Sequence, residues 1–214
     1  MTDQGAEYPK IYGPFQRNNE TNRVKPGHWI TDELNILRSV MWTFTEKIDG
    51  TNVRVIWDGH AVRCAGRTDR AVLHPDLLKQ LETLFPEEKM EERWGEAPAT
   101  LYGEGFGAGI NGGGDYTQEK DFILFDVLNE IWRSPYEVAD IGHSLGVKHV
   151  KPWQVTLNQG IDMVAQGLRS QYKDGFAEGI VGRPVGGLLD RRGRRIAVKL
   201  KHVDLHGIDW TSWR

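Results

Sequence analysis

Short stretches of alternating or compact apolar residues, each bounded by turn-forming residues, recur along the chain and predict β-strands. The predicted strands span residues 51–57, 60–65, 99–103, 121–128, 176–183 and 195–201. Asp58-Gly59, between the first two, is a favourable two-residue hairpin turn. Gly193 indicates another turn ahead of the last strand.

Helical periodicity is found in fewer segments. Four leucines after Pro75 fall on one helical face: Leu77, Leu78, Leu81 and Leu84. Ser-Pro-Tyr-Glu at 134–137 is typical of a capping box with proline at the first helical position. Residues 162–170 and 33–40 are further candidate helices. Strands and helices are mixed without regular alternation, which favours an antiparallel-rich α+β fold over a doubly wound parallel sheet.

The composition is that of an ordinary globular protein. Of 214 residues, 27% are charged and 39% are hydrophobic, which argues against a disordered chain and against a membrane protein. No apolar run reaches the length of a membrane span, and the N-terminus lacks a signal-peptide pattern. Cys64 is the single cysteine, so we expect a reducing, cytoplasmic setting without a disulfide framework.

The formal net charge of −3 is not that of a general nucleic-acid binder, but the charge is unevenly distributed. One acid, Asp190, stands among seven basic residues near the C-terminus: Arg183, Arg191, Arg192, Arg194, Arg195, Lys199 and Lys201. Such a stretch is compatible with a phosphate-contacting surface. For residues 191–195 alone, a solvated turn explains the pattern equally well.

Six short sequence elements carry the candidate chemistry, and the first contains Lys47 in Glu-Lys-Ile-Asp-Gly-Thr-Asn at 46–52. A lone lysine beside a glycine turn is usually only solvated, and the later elements are what distinguish Lys47. They are Gly-Arg-Thr at 66–68, Tyr-Gly-Glu at 102–104, Phe-Ile-Leu-Phe-Asp-Val at 122–127, Glu-Gly-Ile-Val-Gly-Arg at 178–183 and Val-Lys-Leu-Lys at 198–201.

In this order the six elements resemble the motifs of the covalent nucleotidyltransferases, which comprise polynucleotide ligases and mRNA capping enzymes. Asn52 stands where DNA ligases and capping enzymes generally carry arginine, and is similar to the RNA ligases of the second phage type. The resemblance implies the fold of the ligase adenylation domain. It also implies a setting in a bacterial or virus-infected cell.

The resemblance implies that Lys47 attacks the α-phosphate of ATP and takes up AMP. An amine attacks only when neutral, so its pKa must fall below the usual value near 10.4. The cations Lys199 and Lys201 are expected to lower it and to neutralise charge that develops on the phosphoryl group. Their alternation places both on one strand face, with Leu200 pointing into the core. Taken alone, Lys-x-Lys on an edge strand is also a common solubility device.

Other site residues are implied in the same way. Glu104 would hold the ribose hydroxyls, and Glu178 would position Mg²⁺ or Mn²⁺, which needs few protein carboxylates. Phe125 would stack on the purine, although an aromatic residue there is also typical of plain core. The implied nucleotide-binding residues are Glu46, Asn52, Arg67, Glu104, Phe125, Lys199 and Lys201. Arg54 is a weaker candidate, and the arginines at 183, 191, 192, 194 and 195 are candidates for nucleic-acid contact.

Two further patterns are set aside. Residues 107–112 satisfy GxGxxG, but a strand rather than a helix is expected next, so we interpret them as a mobile glycine-rich loop. His202 and His206 have metal-like spacing without an evident third ligand, and we interpret them as solvated histidines.

The hypothesis is an ATP-dependent RNA ligase that forms lysyl-AMP and joins RNA 5′-phosphate to 3′-hydroxyl ends. We expect one nucleotidyltransferase domain over residues 1–214, with an N-terminal segment (1–40), a motif-bearing core (43–202) and no C-terminal oligonucleotide-binding (OB) domain. The partners would be RNA ends or nicks, together with an accessory protein if this core does not bind RNA by itself. Three alternatives stay open: a minimal DNA ligase, a capping-type guanylyltransferase and a catalytically silent RNA-binding module.

Overall fold

A computed structural model describes residues 5–208, and contacts divide them into two compact units, each with its own hydrophobic core. The first unit holds the described residues up to Pro9 together with Ile48–Lys151. The second holds Lys10–Lys47 and the described residues from Pro152 onward. The expectation of a single domain over residues 1–214 stays a prediction, and residues 1–4 and 209–214 lie outside the described residues.

The elements are numbered along the described residues. The strands are β1 (Phe15–Arg17), β2 (Val24–Trp29), β3 (Met41–Lys47), β4 (Thr51–Trp57), β5 (Val62–Gly66), β6 (Ala99–Phe106), β7 (Asp121–Asn129), β8 (Ile131–Trp132), β9 (Trp153–Thr156), β10 (Gly179–Pro184) and β11 (Val198–Lys201). The α-helices are α1 (Asp32–Ile36), α2 (Pro75–Leu84), α3 (Glu87–Trp94), α4 (Pro135–Ser144), α5 (Leu157–Ala165) and α6 (His202–Leu205). Short 3₁₀ helices span Leu37–Ser39 and Asn111–Asp115.

The first unit is built on an antiparallel sheet in the order β5-β4-β6-β7-β8. Alternate residues, among them Val53, Val55 and Leu101, form a core with buried side chains of α2, α3 and α4. Because strand side chains alternate between faces, Asn52 and Glu104 belong to the opposite face. That face carries the polar residues of two sequence elements.

Two helices of this unit begin as the sequence predicts. In α2, Pro75 occupies the first turn, and Leu77 and Leu81 are fully buried, whereas Leu78 lies at the exposed edge of the helix. In α4, the predicted capping box is confirmed: the Ser134 hydroxyl accepts a hydrogen bond from the Glu137 backbone N–H, and the Glu137 carboxylate accepts one from the Ser134 N–H.

The second unit contains an antiparallel sheet in the order β11-β10-β3-β9, together with the β1-β2 ribbon. Trp42 and Phe44 of β3 and Leu200 of β11 form the core with Ile161 of α5. The burial of β11 alternates, so that Leu200 points into the core while Lys199 and its partner two residues on stay partly exposed. The prediction that both lysines of β11 share one face, with Leu200 pointing into the core, is thereby confirmed.

Some boundaries differ from the prediction, and local hydrogen bonds explain why. The β4–β5 loop spans residues 58–61 rather than two residues, because Asp58 Oδ1 accepts the N–H groups of His60 and Ala61. Helix α5 begins earlier than predicted, since Thr156 caps it through a box with Gln159. Strand β10 starts later, because residues before it form a separate hairpin. Among residues 5–208, no helix has the length and apolar character needed to cross a membrane.

Candidate active site

Glu178 lies between two of the three predicted lysines. Its Oε2 is 2.7 Å from Lys47 Nζ, and its Oε1 is 2.8 Å from Lys201 Nζ. The strand register explains this geometry, because Gly179 is opposite Lys47 on β3 and opposite Lys201 on β11. A Cβ at Gly179 would overlap the carbonyl oxygen of Leu200, so only glycine permits this close approach of β11. The sheet thereby joins residues far apart in sequence into one charged cluster.

Lys199 is the third lysine of the cluster. It is opposite Val181, two residues from the pair formed by Gly179 and Lys201, so it lies on the same face of the sheet. Burial lowers its pKa, and the ammonium groups of Lys201, Lys47 and Lys10 lower it further. Lys10 comes close because the chain after it runs beside β11, where the Tyr12 carbonyl accepts the Lys199 N–H at 3.0 Å. No sequence signal pointed to Lys10.

Glu46, the residue before the predicted nucleophile, has a side chain that is only 3% exposed. One carboxylate oxygen accepts the Ser170 hydroxyl, and the other accepts the Gln171 backbone N–H at 2.8 Å. Burial raises the pKa of Glu46, and these two donors partly offset that rise. The donors belong to residues 168–177, a hairpin closed by backbone hydrogen bonds and hereafter called the 168–177 hairpin. Glu46 therefore holds the hairpin that leads into Glu178, and its nucleotide-binding role stays a prediction.

In the first unit, the Asp49-Gly50 turn is supported by the glycine-rich loop. The Asn111 side-chain amide donates to the Gly50 carbonyl, and the Tyr116 hydroxyl accepts the Asp49 N–H at 3.3 Å. A Cβ at Gly112 would overlap the Asp49 carboxylate, so any larger residue there would displace that side chain. The sequence predicted a mobile loop, whereas the structure folds it against the turn that follows Lys47. The short 3₁₀ helix Asn111–Asp115 closes the loop, and strand β7 follows it, as expected, rather than a phosphate-binding α-helix.

Asn52 and Glu104 are directly opposite each other on β4 and β6, which places both side chains on the same sheet face. The Oδ1 of Asn52 is buried, and no group among residues 5–208 donates a hydrogen bond to it. A buried acceptor without a donor is costly, and native structures usually satisfy such an atom. The pair therefore has the chemistry to receive a ligand hydroxyl.

Phe125 occupies a β-bulge. The pairing of β6 with β7 passes from residue 124 to residue 126 against consecutive β6 residues, which leaves Phe125 as the extra residue. Its ring is partly exposed and meets the ring of Tyr8 edge-on, with 5.1 Å between centroids. The Tyr8 hydroxyl donates to the buried Asp126 at 2.8 Å. The bulge therefore takes Phe125 out of the regular core pattern, and its role in base stacking stays a prediction.

Arg67 is exposed in the turn after β5. Arg54, only 1% exposed, braces that turn: its Nε donates to the Gly66 carbonyl at 2.8 Å and its Nη2 to Asp69 at 2.8 Å. A third donor reaches the Gly5 carbonyl. The guanidinium of Arg54 is therefore engaged in positioning the turn that carries Arg67. This argues against Arg54 as a nucleotide-binding residue, for which the sequence made it a weaker candidate.

A comparison with models of protein families shows to which family the chain belongs. The family model described as RNA ligase matches residues 40–201, a range that contains all six sequence elements. This chain belongs to the RNA ligase family. Among curated proteins, no match was found.

Solved structures of the Naegleria gruberi RNA ligase share the fold of this RNA ligase family member. A lysine-to-alanine mutant with ATP and Mn gives a TM-score of 0.65 at 18% identity, covering 92% of this chain and 62% of that chain. The same ligase with PPi gives 0.65 at 19%, covering 92% and 60%. A lysine-to-methionine mutant with AMP and Mn gives 0.64 at 18%, covering 92% and 60%. The predicted α+β adenylation-domain fold is confirmed, and the chain spans about 60% of the length of these structures.

The five arginines predicted to contact nucleic acid have different surroundings in this RNA ligase family member. Arg194 is paired with Asp190 at 2.7 Å, and Asp190 also accepts the Arg192 backbone N–H, which shapes the turn. Arg191 is 95% exposed and Arg192 is exposed beside it. The remaining two lie on β10 and at the base of the turn: Arg183 and Arg195. Nucleic-acid contact stays a prediction, with Arg191 and Arg192 the best placed.

Cys64 lies in β5, where burial raises the pKa of its thiol to about 11. The thiol is therefore protonated at neutral pH and unreactive.

Proposed function

We propose that this chain is the adenylyltransferase core of an ATP-dependent RNA ligase, with Lys47 as the residue that takes up AMP. The observation that carries the proposal is the placement of Lys47, Lys199 and Lys201 on one sheet face around Glu178. Ammonium groups clustered with one carboxylate suit a polyphosphate, because they neutralise charge where it develops. The RNA ligase family membership supports the same activity.

The first step forms a P–N bond between Lys47 Nζ and the α-phosphorus of ATP, while the P–O bond to pyrophosphate breaks. Lys47 must first release its proton to solvent, since an ammonium has no electron pair to donate. Its Nζ is 2.7 Å from Glu178 Oε2, so the amine must also leave this ion pair before attack. Lys199 and Lys201 then face the α-phosphoryl oxygens. In the second step, AMP is transferred from Lys47 to an RNA 5′-phosphate. In the third step, an RNA 3′-hydroxyl attacks that 5′-phosphate and AMP leaves.

Glu178 is the residue that would hold a divalent cation, Mg²⁺ or Mn²⁺. Among residues 5–208 there is no group of three or more metal-ligating side chains. The single carboxylate of Glu178 suits a cation that is otherwise held by water and phosphate oxygens, as Mg²⁺ commonly is. When bound, such a cation supplies positive charge to the phosphates.

The nucleoside contacts are assigned to the first unit. The unsatisfied Oδ1 of Asn52 would accept a ribose hydroxyl, and Glu104, directly opposite, would accept another. Phe125 would stack on the adenine, and Arg67 would bind the phosphate tail. Glu46 contributes indirectly, by holding the 168–177 hairpin.

RNA ends or nicks are the proposed substrate, and Asn52 supports an enzyme of the second phage type. An accessory protein that presents RNA is part of the proposal. We place the enzyme in the cytoplasm of a bacterium or of a virus-infected cell, a setting that the protonated Cys64 thiol is compatible with.

The test is adduct formation. The protein is incubated with α-labelled ATP or GTP and Mg²⁺, and label that survives denaturation and is released by acid is measured. We expect an adduct with ATP, its loss in Lys47→Met, and its retention in Lys79→Met, whose side chain is 77% exposed in α2. Methionine keeps the apolar stem of lysine, and circular dichroism checks that both variants fold.

Three results would contradict parts of the proposal. Absence of adduct with either nucleotide removes the enzyme and leaves the silent RNA-binding module. Label from GTP alone indicates a capping-type guanylyltransferase. Adduct that persists in Lys47→Met assigns the nucleophile elsewhere. Sealing assays on nicked RNA and nicked DNA then separate the RNA ligase from a DNA ligase.

A further inference from the structure

Three aromatic rings and one guanidinium form a continuous stack on the second unit. The Phe176 and His202 rings are stacked, with 5.2 Å between centroids and 23° between planes. The His206 ring follows at 4.5 Å and 34° from His202. At the other end, the Arg169 guanidinium lies 4.9 Å from the centroid of Phe176. We call these four residues the ring stack.

The histidine rings are held in place by the end of α5. Nδ1 of His202 is 3.2 Å from the Val164 carbonyl oxygen, and Nδ1 of His206 is 3.1 Å from that of Ala165. A carbonyl oxygen only accepts, so each Nδ1 carries the hydrogen and donates it. The ring orientation is thereby set, and each Nε2 points away from the helix end.

Phe176 is held from two sides. It pairs across the 168–177 hairpin with Arg169, and a Cβ at Gly167 would come within 2.8 Å of its ring, so the ring lies directly on that backbone. The hairpin in turn is held by Glu46. Despite this support, Phe176 remains 45% exposed, and Arg169 and His206 are also exposed.

A role in capping α5 explains only part of the ring stack. Imidazoles near the last carbonyls of a helix are favourable there. That role requires neither an exposed phenylalanine nor an arginine on its far side. An ordered series of rings that ends in an outward ring face, His206, and carries a cation at its other end resembles the surfaces on which unpaired nucleotides stack.

The position of the ring stack links it to the lysine cluster within the second unit. His202 directly follows Lys201, and its backbone N–H donates to the Glu178 carbonyl at 2.9 Å. A base on this surface would therefore belong to a nucleotide whose neighbour along the strand is near the reacting phosphate.

We propose that the ring stack binds an unpaired base of the RNA substrate on the outer face of His206, with Arg169, at the opposite end of the stack, contacting a phosphate further along the strand. The proposal rests on the RNA ligase function and names a substrate contact for it. His206 offers the terminal ring face, while Phe176 and His202 support it from below. Stacking accepts any base, so the expected contribution is to affinity and not to sequence preference.

The test compares RNA binding with adduct formation. The variants Phe176→Leu and His206→Ala are titrated with a fluorescently labelled single-stranded RNA oligonucleotide, and anisotropy gives the Kd. Loss of one stacked base typically weakens binding roughly 5- to 100-fold. We expect a loss in that range, exceeding any loss in adduct formation with ATP by at least fivefold. The matched controls on α4, His143→Ala and Tyr136→Leu, remove exposed rings outside the stack and should bind RNA as the unchanged protein does.

Salt dependence separates stacking from charge. Phe176→Leu removes no charge, so the slope of log Kd against log salt should stay constant, whereas Arg169→Gln should make it shallower by about 0.7. Unchanged RNA affinity in both stack variants overturns the proposal, as does an equal loss of RNA binding and adduct formation, which would indicate a purely structural role. If the unchanged protein forms no adduct but binds RNA through the ring stack, the result contradicts the proposed ligase function and supports the proposed RNA-binding site.

Discussion

Glu46 offers the most direct test of how the site is built, because a buried carboxylate there holds the 168–177 hairpin. Glu46→Ala removes both acceptors and leaves the Ser170 hydroxyl and the Gln171 N–H without their partner. Glu46→Gln keeps one acceptor oxygen for the backbone N–H, while the Ser170 hydroxyl, whose oxygen already accepts the Tyr172 and Lys173 N–H groups, loses its acceptor. The two substitutions therefore differ in hydrogen bonding while they remove the same charge.

The magnitude follows from two opposing effects. Hydrogen bonds to a charged acceptor contribute about 1.5–3 kcal/mol each, so the two bonds of Glu46 would contribute at most about 6 kcal/mol. Burial opposes this, as the raised pKa of Glu46 shows that the protein disfavours its charged form. We expect the free energy of unfolding to fall by about 2–4 kcal/mol in Glu46→Ala and by about 1 kcal/mol in Glu46→Gln.

Urea unfolding gives these free energies, and amide hydrogen exchange shows where stability is lost. In Glu46→Ala, exchange should accelerate most at Ser170, Gln171 and Ala177, whose N–H groups belong to the hairpin or face Glu46. Ser170→Ala removes the donor to Glu46 together with the acceptor of the Tyr172 and Lys173 N–H groups, so exchange should accelerate in the same hairpin. A change below about 0.5 kcal/mol in Glu46→Ala, or acceleration spread evenly over the chain, would refute the reasoning.

Two further predictions concern the glycine-rich loop and the lysine cluster. Gly112→Ala introduces a Cβ that overlaps the Asp49 carboxylate, so adduct formation should slow by about tenfold or more, whereas Gly114→Ala, whose Cβ has its nearest neighbour at 3.5 Å, should form adduct at the normal rate; equal rates in the two variants would contradict this. Because the pKa of Lys199 is lowered by burial and by its neighbouring lysines, the unfolded chain binds this proton more tightly than the folded protein does. The penalty is present at neutral pH and disappears as pH rises through the folded pKa, so in urea titrations between pH 7 and 10 the protein should gain stability relative to Lys199→Met; a constant or decreasing difference would count against the geometry.

The sequence predicts best where the signal is local. Strand β4 has the predicted limits because its apolar alternation ends at Asp58-Gly59, and α4 begins where its capping box predicts. The Lys199–Lys201 face follows from the two-residue period of a strand and needs no knowledge of neighbours. Each of these features is decided by residues within one turn or one strand.

The contacts that bring the proposed catalytic residues together join positions far apart in the sequence. Glu178 bridges Lys47 and Lys201 only because three strands pair in one register, and no pattern in a single sequence specifies that register. The bulge at Phe125 depends on how β7 pairs with β6, and the unsatisfied Oδ1 of Asn52 depends on everything packed around it. Lys10 is missed for the same reason, as its effect on Lys199 arises from a segment beside β11.

The end of β3 shows why two neighbouring residues have such different surroundings. Alternation along a strand puts Glu46 and Lys47 on opposite faces. Glu46 is paired with the fully buried Ile180, so its carboxylate is on the core side, where an unpaired charge would be costly. The 168–177 hairpin supplies the two donors that make this burial tolerable, and the same hairpin leads directly to Glu178, which meets Lys47 on the other face. One buried carboxylate thus positions the partner of the neighbouring lysine, and the Glu-Lys order at the strand end has a physical reason.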